Sequence, residues 1–283
     1  MSAQKVWFIT GAGRGMGADF AKAVLAAGHR LVATGRDPER LTEILGASPD
    51  LLTVRLDVTK GADAMAAVDA AVARFGRIDV LVNNAASFYA GFFEELTWED
   101  LERQLATSLV GPMLVTRAVL PVMRRQRAGH LIAISSSAGI GADFEFVTAY
   151  AASKFGLEGF MESLRAEVAP FGIHTTVVNR GFFRTELLTE QSTRYAAPSV
   201  ADYDARRTSL MDYWKSQDGQ QTGDPVKLAQ ALLVIASQEP PPRRFIAGAD
   251  AIHGAEQKIA AMREDIESNR TLSTSLSFDP IQD

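Results

Sequence analysis

The stretch "TGAGRGMGADF", Thr10–Phe20, decides how the rest of the chain reads. It follows a short apolar run, "VWFI" at Val6–Ile9, and leads into a segment of helical period. Glycines at 11, 13, 15 and 17 let the backbone approach a bound group closely. The start of the helix behind them offers free N–H groups and the positive end of a dipole to a phosphate. No GK[ST] follows, so this is not a P-loop, and Met16 breaks the GxGxxG spacing. Read alone, such a turn could be a plain tight strand–helix connection. Its place after the first strand of a repeating pattern gives it weight.

That pattern is punctuated by glycine. "AAGHRLVA", "RFGRIDVLV", "RAGHLIAI" and "PFGIHTTVV" each set a glycine between a helical segment and a short Val-, Ile- or Leu-rich run. Gly28, Gly76, Gly129 and Gly172 therefore read as left-handed residues closing helices. The runs after them are short and apolar, as strands buried on both faces should be. Strands are expected at Val6–Thr10, Leu31–Thr34, Leu52–Leu56, Val80–Val82, Leu131–Ser135, Thr175–Val178 and Phe245–Ala247. Alternation of this kind predicts an α/β fold, a doubly wound parallel sheet of about seven strands, Rossmann-like. No Gly/Ser linker interrupts it, so residues 1–283 are expected to form a single domain. Two regions break the rhythm. Residues 185–223 show no strand pattern and read as a substrate lid, since long irregular segments in compact domains are commonly lids. Residues 250–283 read as an amphipathic helix and a polar tail.

Composition narrows the function classes. The 283 residues are 47% hydrophobic and 22% charged, with a net charge of -5. No long basic block appears ("RRQR" at Arg124–Arg127 is short), so neither nucleic acid nor an anionic membrane is an expected partner. No apolar run in the sequence reads as a spanning helix of roughly 18 residues. The N-terminus reads as a first strand rather than a signal peptide. There is no cysteine, which removes disulfide and thiolate chemistry and fits a cytoplasmic location. The four histidines are scattered without ligand spacing, so no metal site is expected.

"AYAASKFG", Ala149–Gly156, sets Tyr150 and Lys154 one helical turn apart, on one face. Most such pairs are surface decoration. A free phenol titrates near pH 10, about three units above neutrality, but nearby positive charge lowers that value.

Taken together, several ordered motifs resemble the short-chain dehydrogenase/reductase family. "TGAGRGMG" is similar to its TGxxxGxG turn, "LDV" at Leu56–Val58 to its adenine-contacting segment, "NNAA" at Asn83–Ala86 to NNAG, "ISSSAG" at Ile134–Gly139 to its catalytic-serine strand, and "YAASK" to YxxxK. The likeness runs from about Lys5 to Gly248. It implies a nicotinamide dinucleotide held by Thr10, Gly11, Gly13, Arg14, Gly15, Met16, Gly17, Arg36, Asp57, Val58, Asn84, Ala85, Tyr150, Lys154, Gly181 and Thr185. It implies that Tyr150 exchanges a proton with a ketone or alcohol oxygen, that Lys154 lowers the Tyr150 pKa and holds the nicotinamide ribose, and that a serine orients the substrate. Alignment on Gly139 selects Ser136 and the family's usual spacing back from Tyr150 selects Ser137; Ser136 is preferred as the catalytic serine, because a strand end anchored by glycine is less elastic than the loop "IGADFEFVTA". The resemblance also implies a homodimer or homotetramer, packed through the helices that carry Ser108 and Tyr150.

The second strand addresses cofactor choice. Gly35 stands where an NAD enzyme of the family usually has a ribose-binding acid, and Arg36 follows. With Arg14 it can grip a 2′-phosphate bidentately, so NADP(H) is expected over NAD(H). Asp37 reads instead as the cap of a helix opened by Pro38. Phe88, Phe92, Phe144, Phe146, Phe182, Phe183, Tyr195, Tyr213 and Trp214 are candidate walls for an apolar or aromatic small-molecule carbonyl or alcohol.

Three positions depart from the family pattern: Ala86 replaces the last glycine of NNAG, Arg180 stands for a proline before Gly181, and Ser108 stands for the fourth catalytic residue, asparagine. Ser108 keeps the backbone carbonyl of that proton relay but not the amide. The leading expectation is an NADP(H)-dependent oxidoreductase. A dehydratase or epimerase on the same fold, and a dinucleotide-binding regulator that has lost turnover, are the alternatives.

Overall fold

The computed structural model describes residues 4–189 and 192–278. Its strands are β1 (Val6–Thr10), β2 (Arg30–Gly35), β3 (Leu51–Arg55), β4 (Val80–Asn83), β5 (Phe88–Ala90), β6 (Gly129–Ile134), β7 (Ile173–Arg180), β8 (Thr193–Tyr195) and β9 (Arg244–Ala247). Its α-helices are α1 (Gly15–Ala26), α2 (Pro38–Leu45), α3 (Gly61–Phe75), α4 (Trp98–Leu105), α5 (Gly111–Gln126), α6 (Thr148–Val168), α7 (Asp204–Ser216), α8 (Pro225–Ser237) and α9 (Ala249–Thr274).

Seven strands form one parallel sheet in the order β3-β2-β1-β4-β6-β7-β9. All seven expected strands are in it. Period-two alternation explains why both faces are buried. In β1, Val6 and Phe8 point into one core with Val68, Val115 and Leu157. Trp7 and Ile9 point into the other with Phe20, Val24 and Leu232. Each such side chain, fully buried, contributes about 1.5–3 kcal/mol. The chain winds outward from β1 to β3, then returns to β4 on the far side of β1. Order reverses there, and a crevice opens beyond the carboxyl ends of β1 and β4.

Four details differ from the sequence reading or refine it. Residues 185–223, expected to lack strands, contain β8, which pairs in parallel with β5 as a second, two-stranded sheet, and also α7. Gly28, Gly76 and Gly172 are left-handed as expected, with φ of 77°, 75° and 69°. Gly129 is not: the left-handed residue closing α5 is Arg127, at φ 56°. Gly129 instead opens β6, where a Cβ would collide with Met123. Finally, α4 and α5 join through a π-helical turn at Ala106–Val110 into one continuous helix. Its most apolar 18-residue window reaches a mean hydropathy of 1.5, long and apolar enough to cross a membrane by length and composition. The sequence reading overlooked it because charged residues crowd both ends. Here Val115, Val119 and Met123 of this helix sit in the core against Val68 and Ala71 of α3.

Asp37 caps α2 as expected, accepting from Arg40 N at 3.1 Å with Pro38 in the first turn. The expected C-terminal helix is α9, 26 residues long, with Ala251 and Ala255 its buried residues. Part of the expected tail, 279–283, lies outside the described residues.

Candidate active site

The crevice begins at the glycine turn. Gly11 and Gly15 are left-handed, at φ 67° and 48°. A Cβ on Gly17 would strike Gly11 O and Asn84 Nδ2, so the start of α1 can lie against the turn only with glycine there. Asn84 ties β4 to β1: its Nδ2 donates to Thr10 O at 3.0 Å and Gly11 O at 3.2 Å, while Asn84 N and Ala85 N both donate to Thr10 Oγ1 at 3.0 Å. Arg14 precedes α1 without capping it through its side chain. The first-turn N–H groups of α1 therefore carry no side-chain cap from Arg14, and Met16 beside them is buried. This cradle of close backbone and N–H donors fits the pyrophosphate of a dinucleotide.

The remaining expected cofactor residues line the same edge. Arg36 is exposed just beyond β2, its charge close enough to act on Asp57. Burial pushes the Asp57 carboxyl up, but Thr59 donates to it from Oγ1 at 2.7 Å and N at 3.1 Å, and with Lys60 and Arg36 holds it below the usual range. Val58 is buried beside it. Arg14 reaches across to Ser192 Oγ at 2.9 Å. Thr185 stands opposite Gly15, its Oγ1 accepting from Leu187 N. Gly181 packs under Asp250, leaving no room for a Cβ.

The sheet brings Tyr150, Lys154 and Ser136 together. Tyr150 and Lys154 are buried on the first turns of α6, which packs against β7 and the 3-10 turn Ser137–Gly139 after β6. Lys154 Nζ donates to Ile134 O at 2.9 Å and lies 5.6 Å from the Tyr150 ring centre. The Ser136 hydroxyl accepts from Ala138 N at 3.2 Å and lies close enough to the Tyr150 oxygen to favour its ionised form. Both candidate serines line the cleft, and of the two it is Ser136 whose hydroxyl acts on the Tyr150 pKa. Burial pushes the Tyr150 pKa up; Lys154, Arg180 and Ser136 outweigh it, and the net direction is down. Burial also pushes the Lys154 ammonium down, the Tyr150 oxygen opposing. Behind Ser136, Asn179 Nδ2 donates to Ser136 O at 3.1 Å and Glu158 Oε1 at 2.6 Å, locking the end of β6.

Ser108 is fully buried in the π-helical turn. Its Oγ accepts from Ser87 N at 3.1 Å and Gln104 Nε2 at 2.9 Å. Gln104, also fully buried, further donates to Ser87 O and Ser153 Oγ and accepts from Tyr89 N. Sequence reasoning missed Gln104. Inside the polar segment "WEDLERQL" it carries no signal of burial.

In front of Tyr150 lies a cleft enclosing about 530 Å³ of space, part of it open to solvent. Phe88, Phe144, Phe182, Phe183 and Trp214 line it, as expected; Phe92, Phe146, Tyr195 and Tyr213 do not. Phe92 and Phe146 pack on each other behind the wall, at 5.3 Å between centroids. Ala138, Val147, Leu187, Gln221 and Arg180 complete the lining.

Residues 5–196 match the short chain dehydrogenase family, and the chain belongs to it. It is an oxidoreductase by family, and that family uses nicotinamide dinucleotides. Among its relatives, Oxidoreductase BOA17 of Botryotinia fuckeliana is 34% identical, over 95% of this chain and 98% of its own. A 3-ketodihydrosphingosine reductase of Bacteroides thetaiotaomicron is 33% identical, over 86% and 88% respectively. The crystal structure of a short-chain dehydrogenase from Streptomyces avermitilis, 34% identical, superposes with a TM-score of 0.87 over 98% of this chain and all of that one.

Proposed function

We propose that this chain is an NADP(H)-dependent oxidoreductase interconverting a ketone or aldehyde with an alcohol. The observation that carries the reading is that Tyr150 and Ser136 line one cleft, with Lys154 buried one helical turn behind Tyr150 and 5.6 Å from its ring centre. When bound, a nicotinamide would supply or accept the hydride. Ser136 orients the substrate oxygen. Tyr150 donates a proton to that oxygen in reduction and removes one in oxidation, and Lys154 keeps the phenolate within reach of neutral pH. A relative named as a reductase of a keto compound supports the reductive direction.

The aromatic wall favours an apolar or aromatic small molecule. Residues 185–223 act as its lid, within a single catalytic domain. The protein works in the cytoplasm as a homodimer or homotetramer. Arg14 and Arg36 receive the 2′-phosphate. With Gly35 at the end of β2, no side-chain carboxylate at that position repels it.

The test is to follow consumption of reduced nicotinamide with a panel of aromatic ketones and diketones, with NADPH and with NADH. Turnover with a higher kcat/KM for NADPH is expected, and Arg36→Asp should reverse the preference. Equal use of both cofactors by the unmodified protein would refute the assignment of the arginines.

A further inference from the structure

β7 ends in Arg180, at the position where the family resemblance leads one to expect a proline. Its side chain lines the cleft with Ser136, Tyr150 and Phe182. It lies close enough for its charge to act on both Tyr150 and Lys154. Its hydrogen bond is weak, to the carbonyl of its own neighbour, Gly181 O, at 3.3 Å. Among the described residues no carboxylate pairs with it. The acids nearby are committed elsewhere: Asp250 accepts from Phe182 N at 2.7 Å, and Glu158 holds Asn179 and Arg244. A guanidinium held half-buried among phenylalanines, without a counter-charge, is costly unless something completes it.

We infer that Arg180 anchors a carboxylate on the substrate, so that the preferred substrates are oxo acids, or the matching hydroxy acids, with an apolar or aromatic body. The inference rests on the reading of this cleft as the site of carbonyl reduction. The planar guanidinium matches a carboxylate bidentately. Phe88, Phe182 and Phe183 take the apolar body, while Ser136 and Tyr150 face the carbonyl oxygen. Specificity follows from both parts: a neutral ketone leaves the arginine uncompensated, and a small polar acid leaves the aromatic wall unused.

Two readouts on paired compounds test this. Calorimetric titration of the protein with NADP+ bound should show 4-oxo-4-phenylbutanoate binding about 10- to 100-fold tighter than its methyl ester, the range of a charge-assisted hydrogen bond. Arg180→Met should remove that preference, and Arg180→Lys should restore part of it. Equal binding of acid and ester to the unmodified protein, binding of neither, or a preference that survives Arg180→Met overturns the inference. The second readout is the ratio of kcat/KM for acid over ester. Any effect of Arg180 on Tyr150 acts on both compounds and cancels in that ratio. Reduction of the ester with the same kcat/KM as the acid sinks the inference and leaves the oxidoreductase reading intact. Tight, Arg180-dependent binding of the acid with turnover of no carbonyl compound does the reverse. Should Arg180→Met fail to fold, the acid–ester comparison on the unmodified protein still decides.

Discussion

Ser108 shows how burial settles what a substitution does. Its hydroxyl is enclosed and accepts two hydrogen bonds, from Ser87 N and Gln104 Nε2. Ser108→Ala leaves the part-buried Ser87 N–H without its acceptor and should lower stability by about 1 kcal/mol. The backbone carbonyl is kept, so kcat should change by no more than a few-fold, on the order of 1 kcal/mol in barrier. Ser108→Asn adds bulk and two donors where Gln104 already donates. It should cost about 1–3 kcal/mol through overpacking and should not raise kcat. Thermal unfolding and kcat measured side by side check both. A kcat that drops about 100-fold in Ser108→Ala with an unchanged melting temperature would show the hydroxyl itself in the proton path. At this scale the sequence was half legible. Tyr150, Lys154 and the serine run were marked by their likeness to the family's motifs, and Arg180 by standing where that likeness led to a proline. Gln104 was not, because nothing local distinguishes a buried amide from an exposed one on a polar helix. Only the π-helical turn and the approach of Ser87 and Ser153 enclose it.

At the scale of elements, residues 185–223 are held by contacts that sequence periodicity cannot register. β5 and β8 have three residues each, too few for an alternation to stand out, and they pair across roughly a hundred residues. α7 is anchored by Arg207, which pairs with the buried Glu95 and with Asp204. The Arg207 hydrogen bond lowers the Glu95 pKa, burial opposes it, and the N–H groups of Ser199 and Val200 lower it further, from 4.5 to about 2. A depressed carboxylate stabilises the fold above its unfolded pKa and loses that contribution as pH falls through the folded one. The anchor should therefore weaken as the pH falls from about 4.5 towards about 2. Amide exchange in α7 should accelerate over that range relative to β1. Glu95→Gln should show faster exchange in α7 already at neutral pH and little further change on acidification. Identical α7 profiles for the two proteins would mean that the pair does not hold the segment down.

For the whole molecule, the sheet was legible because strands buried on both faces are short, β-branched and punctuated by the glycines that end the preceding helices. Gly129 shows the limit of that rule. The same residue type served close packing against Met123, and an arginine took the left-handed position. The apolar helix through 98–126 shows another: length and hydropathy alone do not tell a spanning helix from one buried between α3 and α6. What the fold achieves is to bring the ends of β1, β4, β6 and β7, distant in sequence, to one crevice, with a phenol held against a lysine and a serine. The measurement that tests this most directly is Tyr150→Phe, which removes the hydroxyl and keeps the ring. NADPH should still bind with nearly the same affinity, while kcat for ketone reduction falls by a factor on the order of 10² to 10⁴, as for a positioned general acid. Near-normal turnover in that variant would contradict the assignment and leave Tyr150 as part of the cleft wall.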